Sequence, residues 1–344
     1  MQPFKYIFIP FLWFISFLYG ILICIRNQLF DLSWIQINSF NKPIISIGNI
    51  TLGGTGKTPL VIYIAKILLK KNITPGIISR GYKRKSKGMV IVHNGKELLV
   101  DVMTSGDEPY LMAKTLKKVP IIVCKNRSLG IKKLLKNYSI DIIIMDDAFQ
   151  HRKVKRNLDI ITIAANEINA NYKLLPLGKM REPLHNIQRS HLVVYTKTEN
   201  KIPDIHSKLQ PYLFNDYTIS TFEPLLMKYE SKGYIESSAP NEPLFAFCGI
   251  ADPQSFFKSI TKLGINIKDK IIYRDHQNYN KTIINQLSQR IKNNNGKKVI
   301  TTEKDLVKLP DSFIDFFEVY IIKINIIFKE DSLINDKINS ILIN

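Results

Sequence analysis

The feature that most constrains this chain is a strand, a glycine-rich turn and a helix in direct succession between residues 43 and 71. The strand is the apolar run Ile44–Ile47, and three glycines follow within residues 53–56. The next segment places apolar residues at the spacing of one helix face. These are Leu60, Val61, Ile64, Ile67 and Leu68. A strand that enters a helix through such a turn is typical of a parallel α/β sheet.

The turn ends in Gly56, Lys57 and Thr58, a combination found in phosphate-binding loops. Glycines let successive backbone N–H groups face an anion, and the helix N-terminus adds its positive end. Lys57 is expected to bind the β- and γ-phosphates and Thr58 to bind Mg²⁺. Thr51 replaces the first glycine of the usual pattern, so the later glycines must form the turn. A merely connecting loop is the alternative. We predict a nucleotide site made of Thr51, Leu52, Gly53, Gly54, Thr55, Gly56, Lys57 and Thr58.

Length and composition bound the remaining possibilities. The chain has 344 residues, enough for two domains with cores of their own. Its three cysteines are far apart, which fits a reducing compartment and excludes a disulfide framework or a zinc-binding cysteine pair. The net charge of +20 indicates an anionic partner such as a membrane, a nucleic acid or a phosphorylated substrate. Lys, Asn and Ile are all abundant, as AT-rich coding would also produce.

A long uncharged segment lies near the N-terminus. Residues Tyr6–Ile25 carry no charge over 20 positions, long enough to span a bilayer. One positive residue flanks each end, so charge does not set an orientation. No small-residue cleavage site follows, which argues against a removed signal peptide. A buried core helix is the alternative. We expect a retained membrane-associated segment that spans the bilayer or lies in its interface, with the rest of the chain cytoplasmic because it uses ATP.

Two further segments carry carboxylates near predicted strand ends. The apolar run Ile140–Met145 leads into Asp146 and Asp147, as expected for a buried strand that delivers a carboxylate to Mg²⁺. Asp107 and Glu108 begin a predicted helix, where ordinary capping is the alternative role. Because we place Asp107, like Asp146, after a predicted strand, both are expected at the same edge of the sheet as the phosphate loop.

Strands alternate with helices along the chain, which predicts an α/β fold with a doubly wound parallel sheet. The polar, Pro-containing stretch Glu199–Asp216 marks a domain boundary, and Tyr217–Tyr234 is expected to form two linking strands. A smaller α/β unit begins at Leu244. We therefore divide the chain into a membrane-associated segment (1–30), a P-loop domain (31–200), a linker (201–240) and a C-terminal domain (241–344).

With these motifs identified, the chain resembles the tetraacyldisaccharide 4′-kinases, the lipid A 4′-kinases of Gram-negative bacteria. The resemblance covers nearly the whole chain. It rests on an ordered series: GNITLGGTGKTP, SRGYKRKS, SGDEP, KNR, MDDAFQHR, PLGKMREP, FCGIADPQSF, DHQNY and TTEKD. Two positions depart from the family pattern. Ala148 stands where glycine is usual, and His276 is the single histidine of its segment.

The resemblance implies two α/β/α domains joined by a two-stranded linker. It also implies an ATP-dependent phosphotransferase that acts on the 4′-hydroxyl of tetraacyldisaccharide 1-phosphate, an anionic glycolipid, at the cytoplasmic face of the inner membrane. The product would be lipid IVA. By resemblance, Asp107 accepts the hydroxyl proton, His276 completes the site, and Arg127 and Arg181 lie near the transferring phosphate or the substrate. Mg²⁺ would be held by Thr58 with Asp146 and Asp147.

Two other classes of protein fit the sequence less well. A P-loop GTPase or transport ATPase would act as a switch, but the sequence has no N-K-x-D guanine motif. A membrane-tethered nucleic-acid-binding protein would use the positive charge, yet no DNA- or RNA-binding motif is present. We expect no nucleic-acid partner and no obligate protein partner.

Overall fold

The computed structural model describes residues 9–165, 172–199, 201–213, 216–230, 233–330 and 332–342. The first element among the described residues is the helix α1, Ile9–Asp31. The first three residues of the predicted uncharged run, 6–8, lie outside the described residues. So do parts of the predicted boundary and linker, at 200, 214–215 and 231–232.

The first half of the fold is a parallel sheet with helices on its faces. Its strands lie in the order β7-β6-β1-β5-β2-β4-β3, and all neighbours are parallel except β3 and β4. The strands are β1 (Ile44–Gly48), β2 (Pro75–Ser79), β3 (Val90–Asn94), β4 (Pro120–Val123), β5 (Ile142–Asp146), β6 (Leu158–Ala164) and β7 (Leu192–Thr196). The helices are α2 (Lys57–Lys70), α3 (Val102–Ser105), α4 (Asp107–Thr115), α5 (Arg127–Asn137) and α6 (Ile205–Leu209), with 3₁₀ turns at Leu184–Arg189 and Gln210–Tyr212.

The second half is a smaller α/β unit whose strands have the order β11-β10-β12-β13 and are parallel. The strands are β10 (Leu244–Cys248), β11 (Ile267–Ile272), β12 (Lys298–Thr302) and β13 (Glu318–Phe328). The helices are α7 (Pro253–Lys262), α8 (Lys281–Asn293), α9 (Glu303–Leu306), α10 (Asp311–Phe316) and α11 (Ser332–Leu342).

A single long strand, β8 (Asp216–Glu230), joins the two halves. Its first residues pair in parallel with β7, and its later residues pair antiparallel with β13 and with β9 (Gly233–Glu236). The two sheets are therefore continuous through β8, and the described part of the chain forms thirteen connected strands. The α/β fold with a P-loop sheet, a smaller second unit and a two-stranded linker is confirmed.

The central strands form because their residues are almost all apolar and both faces of the sheet are covered. Every residue of β1 and β5 is buried. One face packs against the apolar side of α2, including Leu60 and Ile64, and the other packs against Ile131 and Leu134 of α5. This packing fixes the start of α2 directly beyond the end of β1.

The helix α1 is long enough and apolar enough to cross a membrane, with a mean hydropathy of 2.0. Only 11% of the most apolar 18-residue stretch of this helix is buried within the fold. It lies against the P-loop half through a narrow polar side, where Ser16 donates to the Leu174 carbonyl (2.9 Å) and Tyr19 to that of Arg181 (2.7 Å). Its other side exposes large apolar side chains to solvent: Phe11, Trp13, Phe14, Phe17 and Leu22.

Candidate active site

The phosphate loop has the backbone conformation that its glycines allow. Gly53 and Gly56 have φ values of 132° and 84°, which residues with side chains rarely adopt. A Cβ on Gly56 would also lie 2.5 Å from the ring of Phe222. By contrast, a Cβ on Gly53 or Gly54 would meet no protein atom within 4 Å. The outer part of the loop is therefore open for a ligand to approach the backbone.

The loop is anchored on both sides by hydrogen bonds. The Thr55 hydroxyl is buried and bonds to Asn49 (3.0 Å) and Thr162 (2.8 Å). The backbone N–H of Leu52 donates to the Lys179 carbonyl (2.7 Å), and Thr51 pairs with Met180. The segment around residue 180 thus holds the loop in place from outside the sheet.

Lys57, the first residue of α2, faces a carboxylate across the loop. Its Nζ lies 3.4 Å from Oδ1 of Asp147, which also accepts a hydrogen bond from Arg181 (2.8 Å). Burial would raise the pKa of Asp147, but the charges of Lys57 and Arg181 outweigh it and lower the pKa below its usual value. The sequence-predicted residues Lys57, Asp147 and Arg181 therefore meet at one point.

Asp146 lies beneath this cluster and is almost completely buried. One carboxylate oxygen accepts a hydrogen bond from Ser79 (2.8 Å), and the other, Oδ1, has no hydrogen-bond partner. Burial, reinforced by the nearby charges of Glu108 and Asp147, raises the pKa of Asp146 to about 7. A buried acceptor without a donor is what a nearby cation would satisfy.

The oxygen atoms near the loop fit Mg²⁺. Thr58 and Asp147 line the cleft described below, and Asp146 has the buried acceptor without a partner. Among the residues that the structure describes, no three His, Cys, Asp or Glu side chains gather to hold a metal by themselves. Magnesium is usually held by one or two carboxylates together with substrate phosphates, so this donor set suits a metal that arrives with a nucleotide.

Asp107 is brought against the second half of the fold. Nδ1 of His276 lies 3.0 Å from Oδ2 of Asp107, and Nζ of Lys308 lies 3.3 Å from the same oxygen. Burial would raise the pKa of Asp107, but the hydrogen bond from His276 and the charge of Lys308 outweigh it and lower the pKa. The ionised Asp107 accepts both bonds. Our expectation that it follows a strand was wrong, because the short helix α3 precedes it.

Further charge pairs across the cleft were not found from the sequence. Glu108 binds Lys304 (2.8 Å), and Asp252 binds Lys197 (3.1 Å). The charge of Lys304 lowers the pKa of Glu108 despite its burial. Glu108 in the SGDEP motif and Lys304 in TTEKD were both visible in the sequence, but TTEKD also contains two acidic residues, so its composition did not indicate the pairing.

Arg127 is not brought to the cleft. Its side chain is buried, with 2% of its surface exposed, and donates to the Cys124 carbonyl (2.9 Å) and the Asp146 carbonyl (3.2 Å). Burial lowers the pKa of Arg127 to about 10, against the opposing charges of Asp146 and Asp147. Its position supports the end of β5 and gives it no contact with a ligand in the cleft.

The phosphate loop and charged side chains from both halves of the fold line one cleft of about 1250 Å³. The P-loop half contributes the phosphate loop, Asp107, Asp147 and Arg181, and the second half contributes His276 and Lys304. An anion-binding loop and an ionised carboxylate bonded to an imidazole therefore face the same space. This arrangement, a phosphate loop and a carboxylate–imidazole pair lining one cleft, is that of a P-loop phosphotransferase.

Comparisons with known proteins identify the family. The sequence profile of the family described as Tetraacyldisaccharide-1-P 4′-kinase matches residues 8–342. A tetraacyldisaccharide 4′-kinase of Desulfotalea psychrophila is 36% identical over 313 residues, 90% of each chain. One from Aquifex aeolicus is 35% identical over 298 residues, covering 86% of this chain and 88% of its own. The chain belongs to the tetraacyldisaccharide 4′-kinase family.

A solved structure supports the same assignment. The crystal structure of LpxK from Aquifex aeolicus, described as an "apo" form in complex with ATP, superposes with a TM-score of 0.79 at 31% identity. The match covers 97% of this chain and 99% of that one. The similarity thus includes both halves of the fold.

Proposed function

We propose that this chain transfers the γ-phosphoryl group of ATP to the 4′-hydroxyl of tetraacyldisaccharide 1-phosphate, forming lipid IVA in lipid A biosynthesis. One observation carries the proposal beyond family membership. The phosphate loop and the Asp107–His276 pair, which joins the two halves of the fold, line the same cleft. Both substrates of a kinase can therefore meet there.

The nucleotide is held at the phosphate loop. The backbone of residues 51–58 surrounds the phosphates, and Lys57 leaves Asp147 to bind the β- and γ-oxygens. Thr58, Asp146 and Asp147 would hold Mg²⁺, which would neutralise phosphate charge when bound together with ATP. Arg181 adds positive charge beside Asp147, and buried Arg127 supports the backbone of Asp146.

The acceptor is activated at Asp107. Its pKa is lowered, so the carboxylate is ionised at neutral pH and can accept the 4′-hydroxyl proton. His276 bonds to that carboxylate and completes the acceptor side from the second half of the fold. Transfer then depends mainly on position and charge neutralisation, as is general for phosphoryl transfer.

The membrane-facing part of the proposal rests on α1. Its exposed apolar side suits the bilayer that holds the glycolipid substrate, at the cytoplasmic face of the inner membrane where ATP is present. The excess of basic residues suits an anionic surface and an anionic substrate.

The proposed domain division is 1–30, 31–200, 201–240 and 241–344, with β8 and β9 in the linker.

The test is direct transfer of label. Pure protein is incubated with γ-labelled ATP, Mg²⁺ and the disaccharide 1-phosphate, and the lipid fraction is separated and counted. Label should appear on the lipid with the wild-type chain and be lost with Lys57→Ala. Hydrolysis of ATP without label on lipid would contradict the proposal, as would equal labelling of a disaccharide that lacks the 4′-hydroxyl.

A further inference from the structure

The TTEKD segment forms a compact turn at the end of β12, beside the cleft. The Thr302 hydroxyl accepts a hydrogen bond from the Asp305 backbone N–H (3.1 Å) and donates to the Asp305 carboxylate (2.8 Å). These reciprocal bonds fix Asp305 at the start of α9. Its side chain is completely buried. A buried carboxylate requires hydrogen-bonding or charged partners, and the partners of Asp305 connect it to the residues around Asp107.

Asp305 organises two other groups. Its Oδ2 accepts a hydrogen bond from the Gly249 backbone N–H (2.9 Å), and its Oδ1 lies 3.3 Å from Nζ of Lys308. The Gly249 carbonyl in turn accepts a hydrogen bond from the His276 backbone N–H (3.0 Å). A Cβ on Gly249 would lie 2.8 Å from Gln277, so the close approach requires glycine. One carboxylate thus holds both the loop that carries His276 and the ammonium of Lys308.

His276 and Lys308 both contact the carboxylate of Asp107. His276 reaches its Oδ2 at 3.0 Å and Lys308 reaches the same atom at 3.3 Å. The side chain of Lys308 is only 6% exposed, so water screens its charge little. The other charged groups facing this point are Glu108, Lys304 and Asp275.

We propose that Asp305 and Lys308 are positioning residues for phosphoryl transfer: Asp305 fixes Lys308 and the His276 loop so that both meet Asp107 when the two halves of the fold are closed. This inference rests on the proposed function, in which Asp107 accepts the hydroxyl proton. Lys308 holds Asp107 ionised and oriented, and its side chain does not line the cleft. The lowered pKa of Asp107 agrees with this arrangement.

The experiment compares Lys308→Met with Lys308→Arg. A nearby opposite charge typically lowers a carboxylate pKa by about 1–3 units. In Lys308→Met the acid limb of the kcat–pH profile should therefore move up by about one pH unit, with kcat reduced by up to about tenfold on that limb and little changed at neutral pH. The Kd for MgATP should stay unchanged. Lys308→Arg should restore the wild-type limb. Lys298→Met, which breaks the distant pair with Glu242 (3.2 Å), is the matched control for charge loss.

Folding is controlled separately because Lys308→Met leaves Asp305 without its cation. The double variant Asp305→Asn/Lys308→Met keeps an acceptor for Gly249 and removes the buried charge, and it should show the same shifted limb. A wild-type limb in folded Lys308→Met or in the double variant would overturn the inference. That outcome leaves transfer of label by the wild-type chain intact, whereas failure of the proposed function would abolish labelling in the wild-type chain itself.

Discussion

Nδ1 of His276 donates a hydrogen bond to Oδ2 of Asp107 over 3.0 Å, although 169 positions separate the two residues in the sequence. The bond crosses from the second α/β unit to the first helix turn of α4. The ring of Tyr82 lies edge-on to the imidazole, with ring centroids 5.7 Å apart. The Asp107–His276 pair therefore forms where the two halves of the fold meet.

Asp107→Asn should slow transfer without weakening nucleotide binding. Loss of a general base typically costs about 10²–10⁴-fold in rate. The Kd for MgATP should barely change, since Lys57 and Thr58 are untouched. Helix capping does not explain Asp107, because it follows the N-cap Gly106 and its side chain bonds to the other half of the fold. A near-normal kcat in Asp107→Asn would show that the carboxylate is not the base.

Lys57→Ala should nearly abolish turnover because the ammonium contacts charge that develops during transfer. The variant also leaves Asp147 paired with Arg181 alone, so the fold should persist. Measurement of kcat beside a thermal unfolding curve separates the two effects. Lys337→Ala, which breaks an exposed pair with Asp216, serves as a control. Near-normal kcat in folded Lys57→Ala would refute the phosphate-loop assignment.

The nucleotide side was predictable because its signal is local. Strand, glycines, Lys57 and the helix face are contiguous, and the buried strand before Asp146 is a simple apolar run. The structure forms the strands, the glycine turn and the helix at the expected positions. The fold class followed from the same alternation of strands and helices.

The contacts across the cleft were beyond sequence patterns because they join distant segments. Lys304 and Glu108 are 196 positions apart, and Lys308 and Asp107 are 201 apart. Arg127 shows a different limit: the resemblance placed it near the transferring phosphate or the substrate, but a motif does not show the direction of a side chain, and this one is buried against the Cys124 and Asp146 carbonyls. The docking of α1 did leave a signal, since Ser16 interrupts the apolar run and is buried, as is Asn27 just beyond the end of the run.

Glu303→Gln should change the pH dependence of stability. Burial raises the pKa of Glu303 to about 7, although Lys323 and Lys66 oppose the shift. The folded state therefore binds this proton more tightly than the unfolded state, whose pKa is near 4.5. The contribution of Glu303 to the free energy of unfolding is fully present below pH 4.5 and is lost as pH rises through about 7.

The free energy of unfolding of the wild-type protein should accordingly fall by on the order of 1–2 kcal/mol between pH 5 and pH 8. Glu303→Gln should not show this decrease. Urea unfolding at several pH values measures the difference. Glu97→Gln, at an exposed hairpin position, controls for the loss of one carboxylate. Parallel pH profiles for Glu303→Gln and wild type would mean that Glu303 titrates normally.

The last prediction concerns a chain that begins at Asn27 and so lacks most of α1. It should lose much of its binding to anionic liposomes because the exposed apolar side of the helix is gone. The nucleotide-binding half should remain folded, since its sheet and helices lie downstream. Cosedimentation measures the first effect. Undiminished binding would instead assign the membrane contact to the basic surface.

The shortened chain should also be less stable, because α1 satisfies a buried carboxylate. Glu182 is completely buried and paired with Arg26 (3.0 Å) and Arg189. Removal of Arg26 takes away one of the two cations that bind Glu182, at a cost of about 1–3 kcal/mol, less than for a fully broken buried pair because Arg189 remains. Glu182→Gln should destabilise both chains, because it leaves Arg189 without its carboxylate, but by less in the shortened chain, where Arg26 is already absent. Urea unfolding of the four proteins measures the two differences in the free energy of unfolding. Equal differences in the two backgrounds would show that Arg26 and Glu182 are not energetically coupled.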